Sequence, residues 1–361
     1  MKKTVLAFAV AAAVGVPAAA AADTTLYGRL NVSLDFVDDG VDSSHQLASN
    51  SSRLGVRGSE DLGIAGLKGV YQMEAGFDAA QGGGGLATRN TYLGLAGGFG
   101  ELRLGRHDTP YKTATLPLNF FADTLGDKHH MASRWAAVGA GTDSTFYQRP
   151  DNTIVYMSPD LDGLRFMASY TTDRSNDTPS DTANDQNSLS LAATFTQGPM
   201  FIAVAYEQQN DVAYGPLFAQ IDPVLPAETE DAKAWKVGGT YRIHDLTLAA
   251  MYENLDTGTD LLGDRDVFHI GAKYQLGQAY LMGSYTNAGE LDVDDTDAQM
   301  FALGAGYDFS NRTGMYAVYA RTNNEDAGPY GLAGSGKGKG VSPGDFGENV
   351  SGFQIGVTHN F

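Results

Sequence analysis

The stretch Thr25-Leu26-Tyr27-Gly28-Arg29-Leu30-Asn31-Val32-Ser33-Leu34-Asp35-Phe36-Val37 alternates between two unlike faces, and that alternation decides the fold. Leu26, Gly28, Leu30, Val32, Leu34 and Phe36 share one side, while Tyr27, Arg29, Asn31, Ser33 and Asp35 share the other. A period of two is the mark of a β-strand with one apolar and one polar face. A single such strand also fits a soluble sandwich, so the repetition along the chain carries the argument.

Working outward, sixteen segments read as strands, near 25–37, 51–60, 67–78, 87–96, 101–107, 149–157, 164–173, 187–196, 200–209, 232–242, 246–255, 266–275, 279–287, 298–309, 313–322 and 351–361. Their connections alternate in length. Short turns fall at 61–66, 97–100, 158–163, 197–199, 243–245, 276–278 and 310–312. Long connections fall at 38–50, 79–86, 108–148, 174–186, 210–231, 256–265, 288–297 and 323–350. Strict alternation of short and long connections predicts an all-β, 16-stranded antiparallel transmembrane β-barrel, with short periplasmic turns and long extracellular loops. Hydrocarbon supplies the reason for closure, since every backbone N–H and C=O inside it must be paired and no sheet edge is tolerated. A tilted spanning strand needs about 9–11 residues, as these segments have. Sixteen strands enclose more space than side chains can fill, so a water-filled lumen is expected.

The start of the chain assigns the compartment. Lys2 and Lys3 precede the apolar run 5–13, and the small residues 18–22 end in an Ala20-x-Ala22 site before Asp23. This reads as a signal peptide over 1–22, leaving 23–361 as the barrel. After that leader no run of about 18–20 apolar residues could form a spanning helix. The chain has no cysteine, which excludes disulfides and thiolate chemistry. Its 45 glycines and 35 Tyr and Phe residues favour strands and turns. A net charge of -19, made more negative by loss of Lys2 and Lys3, makes nucleic acid a poor partner.

Several motifs resemble the Gram-negative general porins, in particular the neisserial and related proteobacterial branch. They are Thr25-Leu26-Tyr27-Gly28-Arg29-Leu30, Ser52-Arg53-Leu54-Gly55-Val56-Arg57-Gly58-Ser59-Glu60-Asp61-Leu62-Gly63, Tyr92-Leu93-Gly94-Leu95, and Phe99-Gly100-Glu101-Leu102-Arg103-Leu104-Gly105-Arg106. Arg149 with Asp151-Asn152-Thr153-Ile154 continues the likeness. The resemblance implies an outer-membrane diffusion pore for ions and small hydrophilic solutes, commonly a homotrimer, whose third outer loop folds inward. A substrate-specific channel for a sugar or an anion is the alternative on the same barrel. Lipopolysaccharide, outer-membrane lipid and the assembly machinery are the expected partners, the last reading the terminal strand that ends on Phe361.

In this frame the connection 108–148 narrows the pore. Its apolar patch (Leu116, Pro117, Leu118, Phe120, Phe121) anchors it, and Asp123 and Asp127 face a basic wall. A loop of that length in a compact protein points to a function. By alternation Arg29, Arg53 and Arg57 face inward, and the resemblance adds Arg89 and Arg149. Arg103 and Arg106 cannot both face the lumen without a bulge or a rim position; Arg106 is taken as the constriction member. Arginine suits a pore because it stays charged beside like charges. The acidic outer loops lead to an expected modest cation preference.

Other signals lead nowhere. Residues 331–338 approach a phosphate-binding loop, but Gly338 replaces its hydroxyl residue. No histidine has an evident serine partner, His129 and His130 lack a third metal ligand, and no enzyme activity, metal or cofactor is expected.

Overall fold

The computed structural model describes residues 23–135, 145–174, 186–213, 229–332 and 340–361; the leader 1–22 and residues 333–339 of the glycine-rich segment lie outside them. Sixteen wall strands, two of them interrupted, form one closed antiparallel barrel in which each pairs with its sequence neighbours. They are β1 (Thr25–Asp38), β2 (Ser43–Ser49 and Arg53–Ile64), β3 (Leu67–Phe77), β4 (Gly84–Gly85 and Thr91–Gly97), β5 (Gly100–Arg106), β6 (Thr153–Met157), β7 (Leu164–Thr171) and β8 (Ser188–Gln197). The second half comprises β9 (Met200–Ala213), β10 (Thr229–Ile243), β11 (Leu246–Asp256), β12 (Asp264–Leu276), β13 (Ala279–Ala288), β14 (Ala298–Asp308), β15 (Thr313–Asn324) and β16 (Val350–Asn360).

The burial pattern is that of a protein turned inside out. On β1, Leu26, Leu30, Leu34 and Phe36 are exposed while Asn31, Ser33 and Asp35 are buried. The same outward apolar stripe recurs as Leu93 and Leu95 on β4, Ile202 and Val204 on β9, and Phe353, Ile355 and Val357 on β16. Such a surface is stable only against hydrocarbon. No helix among the described residues is long and apolar enough to cross a membrane; the crossing is made by strands.

Closure runs in register from Arg29↔Asn360 to Asp38↔Ser351. It ends on a reciprocal pair, with Gly28 N–H donating to Phe361 O at 3.0 Å and Phe361 N–H to Gly28 O at 3.1 Å. A Cβ at Gly28 would collide with the Phe361 ring. Glycine also has a second use in the wall. Tyr27 lies directly across from Gly55, Tyr71 from Gly58, Tyr280 from Gly306 and Tyr316 from Gly356, and each ring occupies the space a Cβ would take. The rings cover backbone that glycine leaves bare, so the high glycine and tyrosine content is one structural device.

The first outer connection departs from expectation. In place of a long loop over 38–50, β1 and β2 continue to a tight turn at 39–42, with Gly40 at φ 95°. Asp38 and Asp39 carboxylates accept from the turn's backbone N–H groups, so four residues suffice. At the other extreme β6 starts at Thr153, later than the predicted 149. Asn152 there adopts a left-handed φ of 53°, and Arg149 is paired with Asp108 of the third loop.

That third loop, described over 107–135 and 145–152, enters the barrel. Thr109 caps a short helix α1 (Pro110–Ala114), its hydroxyl accepting from Lys112 N–H at 3.2 Å, and Pro110 occupies the first turn, where no N–H is needed. A 3₁₀ turn at Leu116–Leu118 and another at Lys128–His130 carry the chain across the lumen and back. Tyr111, Leu118, Phe121 and Leu125 are completely buried between loop and wall. The buried core of this molecule therefore lies inside the barrel, on the side of β8 to β16 and the outer part of β1, and the side of β2 to β5 faces the remaining passage.

Candidate pore constriction

Strand pairing sets the basic wall. Register places Arg29 of β1 directly opposite Arg53 of β2, and Thr25 opposite Arg57. Like charges so placed repel, and two acids compensate. Glu74 of β3, opposite Gly55, accepts from Arg89 Nε at 2.5 Å and from Tyr27 OH at 2.8 Å, with Arg53 Nε at 3.9 Å. Asp123, at the inner tip of the loop, pairs with Arg29 at 2.9 Å. Its backbone is left-handed, φ 61°, which turns the carboxylate from the loop towards the wall. Burial raises the Asp123 carboxyl above the usual range, against the opposing pull of Arg29. Arg57 lies over the Tyr27 ring at 4.9 Å and is exposed to the lumen.

A second tier lies nearer the outer mouth. Asp108 binds Lys112 at 2.7 Å and Arg149 at 3.0 Å, and Arg149 Nε also donates to Asn90. Burial alone would raise the Asp108 carboxyl, but these two cations hold it well below the ordinary value. Burial pushes the Lys112 ammonium down to about 8, with Asp108 opposing. Arg103 lies 4.4 Å over the Tyr92 ring and pairs with Glu101 at 2.7 Å.

The structure thus brings Arg29, Arg53, Arg57, Arg89 and Asp123 together, with Arg149 one tier above. It does not bring in Asp127 or Arg106. Asp127 is buried inside the loop, where its carboxylate accepts from Asn119 at 2.7 Å and from His129 N–H at 2.9 Å. Burial opposes ionisation there, yet the contacts with His129 and the nearby His130 leave Asp127 well below the usual carboxylate range. It shapes the loop and does not face the pore. Arg106 shares the outward parity of Leu102 and Leu104; it sits at the loop end of β5 and pairs with Asp151 at 2.5 Å. The rim alternative is the one adopted, and Arg103 takes the lumen position. Parity with the outward leucines was the available signal for Arg103. Glu74 was legible in the same way, because a mid-strand acid facing lipid would be costly.

The loop is held from behind by residues far away in sequence. Glu253 of β11 accepts from Tyr111 OH at 2.6 Å, Ser133 N–H at 2.7 Å and Ser133 Oγ at 2.7 Å, and Lys236 of β10 stands 3.6 Å away. Lys236 also lies 3.7 Å over the Tyr111 ring. Arg265 of β12 donates to the Met131 carbonyl at 2.8 Å. Leu125 N–H donates to Gln354 of β16 at 3.2 Å. Among the described residues no cluster of His, Asp and Glu is arranged to hold a metal.

Comparison with known proteins agrees with the barrel fold. A family model described as Gram-negative porin matches residues 7–327. The outer membrane porin protein 32 of Delftia acidovorans is 29% identical across 100% of both chains. The major outer membrane protein P.IB of Neisseria meningitidis serogroup B is 28% identical over 87% of this chain and 91% of its own. Among solved structures, an anion-selective porin from Comamonas acidovorans superposes with a TM-score of 0.79 at 25% identity, covering 94% of this chain and 100% of that one.

Proposed function

The chain belongs to the Gram-negative porin family, and from that premise we propose that it is a general diffusion pore of the outer membrane whose narrowest zone favours anions. The observation that carries this reading is the closed sixteen-stranded barrel with Arg29, Arg53, Arg57 and Arg89 gathered where the inserted loop approaches the wall. Two carboxylates, Glu74 and Asp123, stand against those four guanidinium groups. Charges lining the narrowest segment set ion selectivity. The acidic outer loops lie at the mouth, and beyond about 8–10 Å their field is screened at physiological salt. The constriction therefore outweighs them, which reverses the cation preference expected from total charge. That expectation also counted Asp127 as a pore-facing acid.

Solutes cross by passive diffusion; the barrel needs no cofactor and performs no reaction. The leader is removed on export, three copies associate through their outer walls, and the terminal strand ending on Phe361 guides assembly into a membrane shared with lipopolysaccharide. Liposome swelling with neutral sugars of rising size tests the pore directly. Rates that fall smoothly with size and do not saturate are expected. No swelling from folded barrels would contradict the reading, and saturable uptake of one sugar alone would replace it with a substrate-specific channel.

A further inference from the structure

The two sides of the constriction differ in kind. On the wall stand the arginines, with Arg57 and Arg103 each laid over a tyrosine ring. Across from them the described residues of the loop present little charge. Its polar groups turn inward: Asp127, Lys128, His129 and His130 are all buried. What it leaves to the lumen is Leu116, 38% exposed, with Pro117 and Ala122 exposed, Phe120 half-buried and Asp123 at the tip. Tyr111, Leu118, Phe121 and Leu125 already anchor the loop from its buried side. Phe120 also packs on the wall at Gly271 of β12, but Leu116, Pro117 and Ala122 are not needed for anchoring, and they form an apolar ledge in an otherwise polar lumen.

Resting on the diffusion-pore reading above, we propose that this constriction favours amphiphilic monoanions, small carboxylates or sulfonates bearing an aromatic or branched aliphatic group, over equally charged hydrophilic anions. Guanidinium is weakly hydrated and pairs with planar oxyanions by two parallel hydrogen bonds. A solute whose anionic end meets Arg53 or Arg57 can lay its apolar part on Leu116, Phe120 and Ala122. Only part of the solute's apolar surface is covered and the gain is modest, so passage is eased and the solute is not trapped.

Benzenesulfonate and methanesulfonate test this, because both stay ionised and neither crosses lipid readily. Bi-ionic reversal potentials across single channels give their permeability ratio. In the unmodified protein that ratio is expected about fivefold above the ratio of their free-solution mobilities, equivalent to ~1 kcal/mol. Leu116→Asn, and independently Ala122→Asn on the same ledge, bring the ratio down towards that of the mobilities. Val41→Asn, at the tip of the β1–β2 turn, leaves it unchanged. A ratio at or below the mobility ratio in a channel that prefers chloride over sodium overturns the ledge and spares the anion pore, as does an elevated ratio that survives both ledge substitutions. A preference for sodium over chloride overturns both readings together.

Discussion

Arg53 faces Arg29 across one strand pair, an arrangement that favours the folded barrel only because Glu74 and Asp123 stand beside it. The two acids differ in what their loss does. Glu74 is buried and serves Arg53, Arg89 and Tyr27 together, so Glu74→Ala leaves charges uncompensated in the wall and is expected to destabilise the barrel by about 3–5 kcal/mol. A lower temperature for the shift in electrophoretic mobility of unheated samples checks this. Among the described residues the Asp123 carboxylate touches the wall through Arg29 alone, while its carbonyl accepts from Asn31, so Asp123→Asn is expected to raise anion preference while the barrel stays folded. Its pH behaviour has a definite sign. The Asp123 carboxyl is raised by burial, so on acidification it loses its charge before exposed carboxylates do. The chloride-over-potassium permeability ratio therefore rises as pH falls towards the ordinary carboxylate range, and Asp123→Asn flattens the early part of that rise. Reversal potentials measured between pH 7 and pH 5 decide it.

The strands were legible at the scale of the element because lipid on one side and water on the other impose a period of two on every crossing. The starting residue of β6 and the tight turn after β1 were not, since both depend on side chains capping backbone N–H groups or pairing with the inserted loop. Arg106, by contrast, could have been placed from the sequence. Alternation said that it and Arg103 could not both face inward, and only the outward leucines of β5 decide which does. The loop's hold on the wall was invisible in sequence for a different reason. Tyr111 and Ser133 meet Glu253 across more than a hundred residues, and nothing local marks the partner. That latch makes a prediction of its own. Glu253→Ala strands Lys236 without its acid and frees three donors, so the loop should loosen while the wall stays closed. Open-channel noise rises, and amide exchange over 128–133 speeds up by tenfold or more, at 1.4 kcal/mol per tenfold. Unchanged exchange there would mean that Arg265 and Gln354 hold the loop without help.

For the whole molecule, stability and transport both follow from inversion: apolar residues outside, polar groups and a packed loop within. An ionised side chain placed on the outer face near the middle of a strand tests the first half. Ile355 pairs with Leu34 at the centre of the closing seam, and Ile355→Arg is expected to cost about 2–4 kcal/mol in folding into bilayers. The mid-strand arginines of the lumen carry no such penalty, and parity alone distinguishes the two cases. On the proposed reading, total charge is by contrast a poor guide to transport. It counts the loop acids at the mouth equally with the few groups at the narrowest point. Single-channel recording in a planar bilayer under a potassium chloride gradient tests the central claim most directly. Large ohmic steps with a reversal potential of the sign set by chloride are predicted, weakening in high salt as the Debye length falls to about 3 Å at 1 M. A folded barrel that does not conduct, or one whose reversal potential has the sign set by potassium, would contradict it.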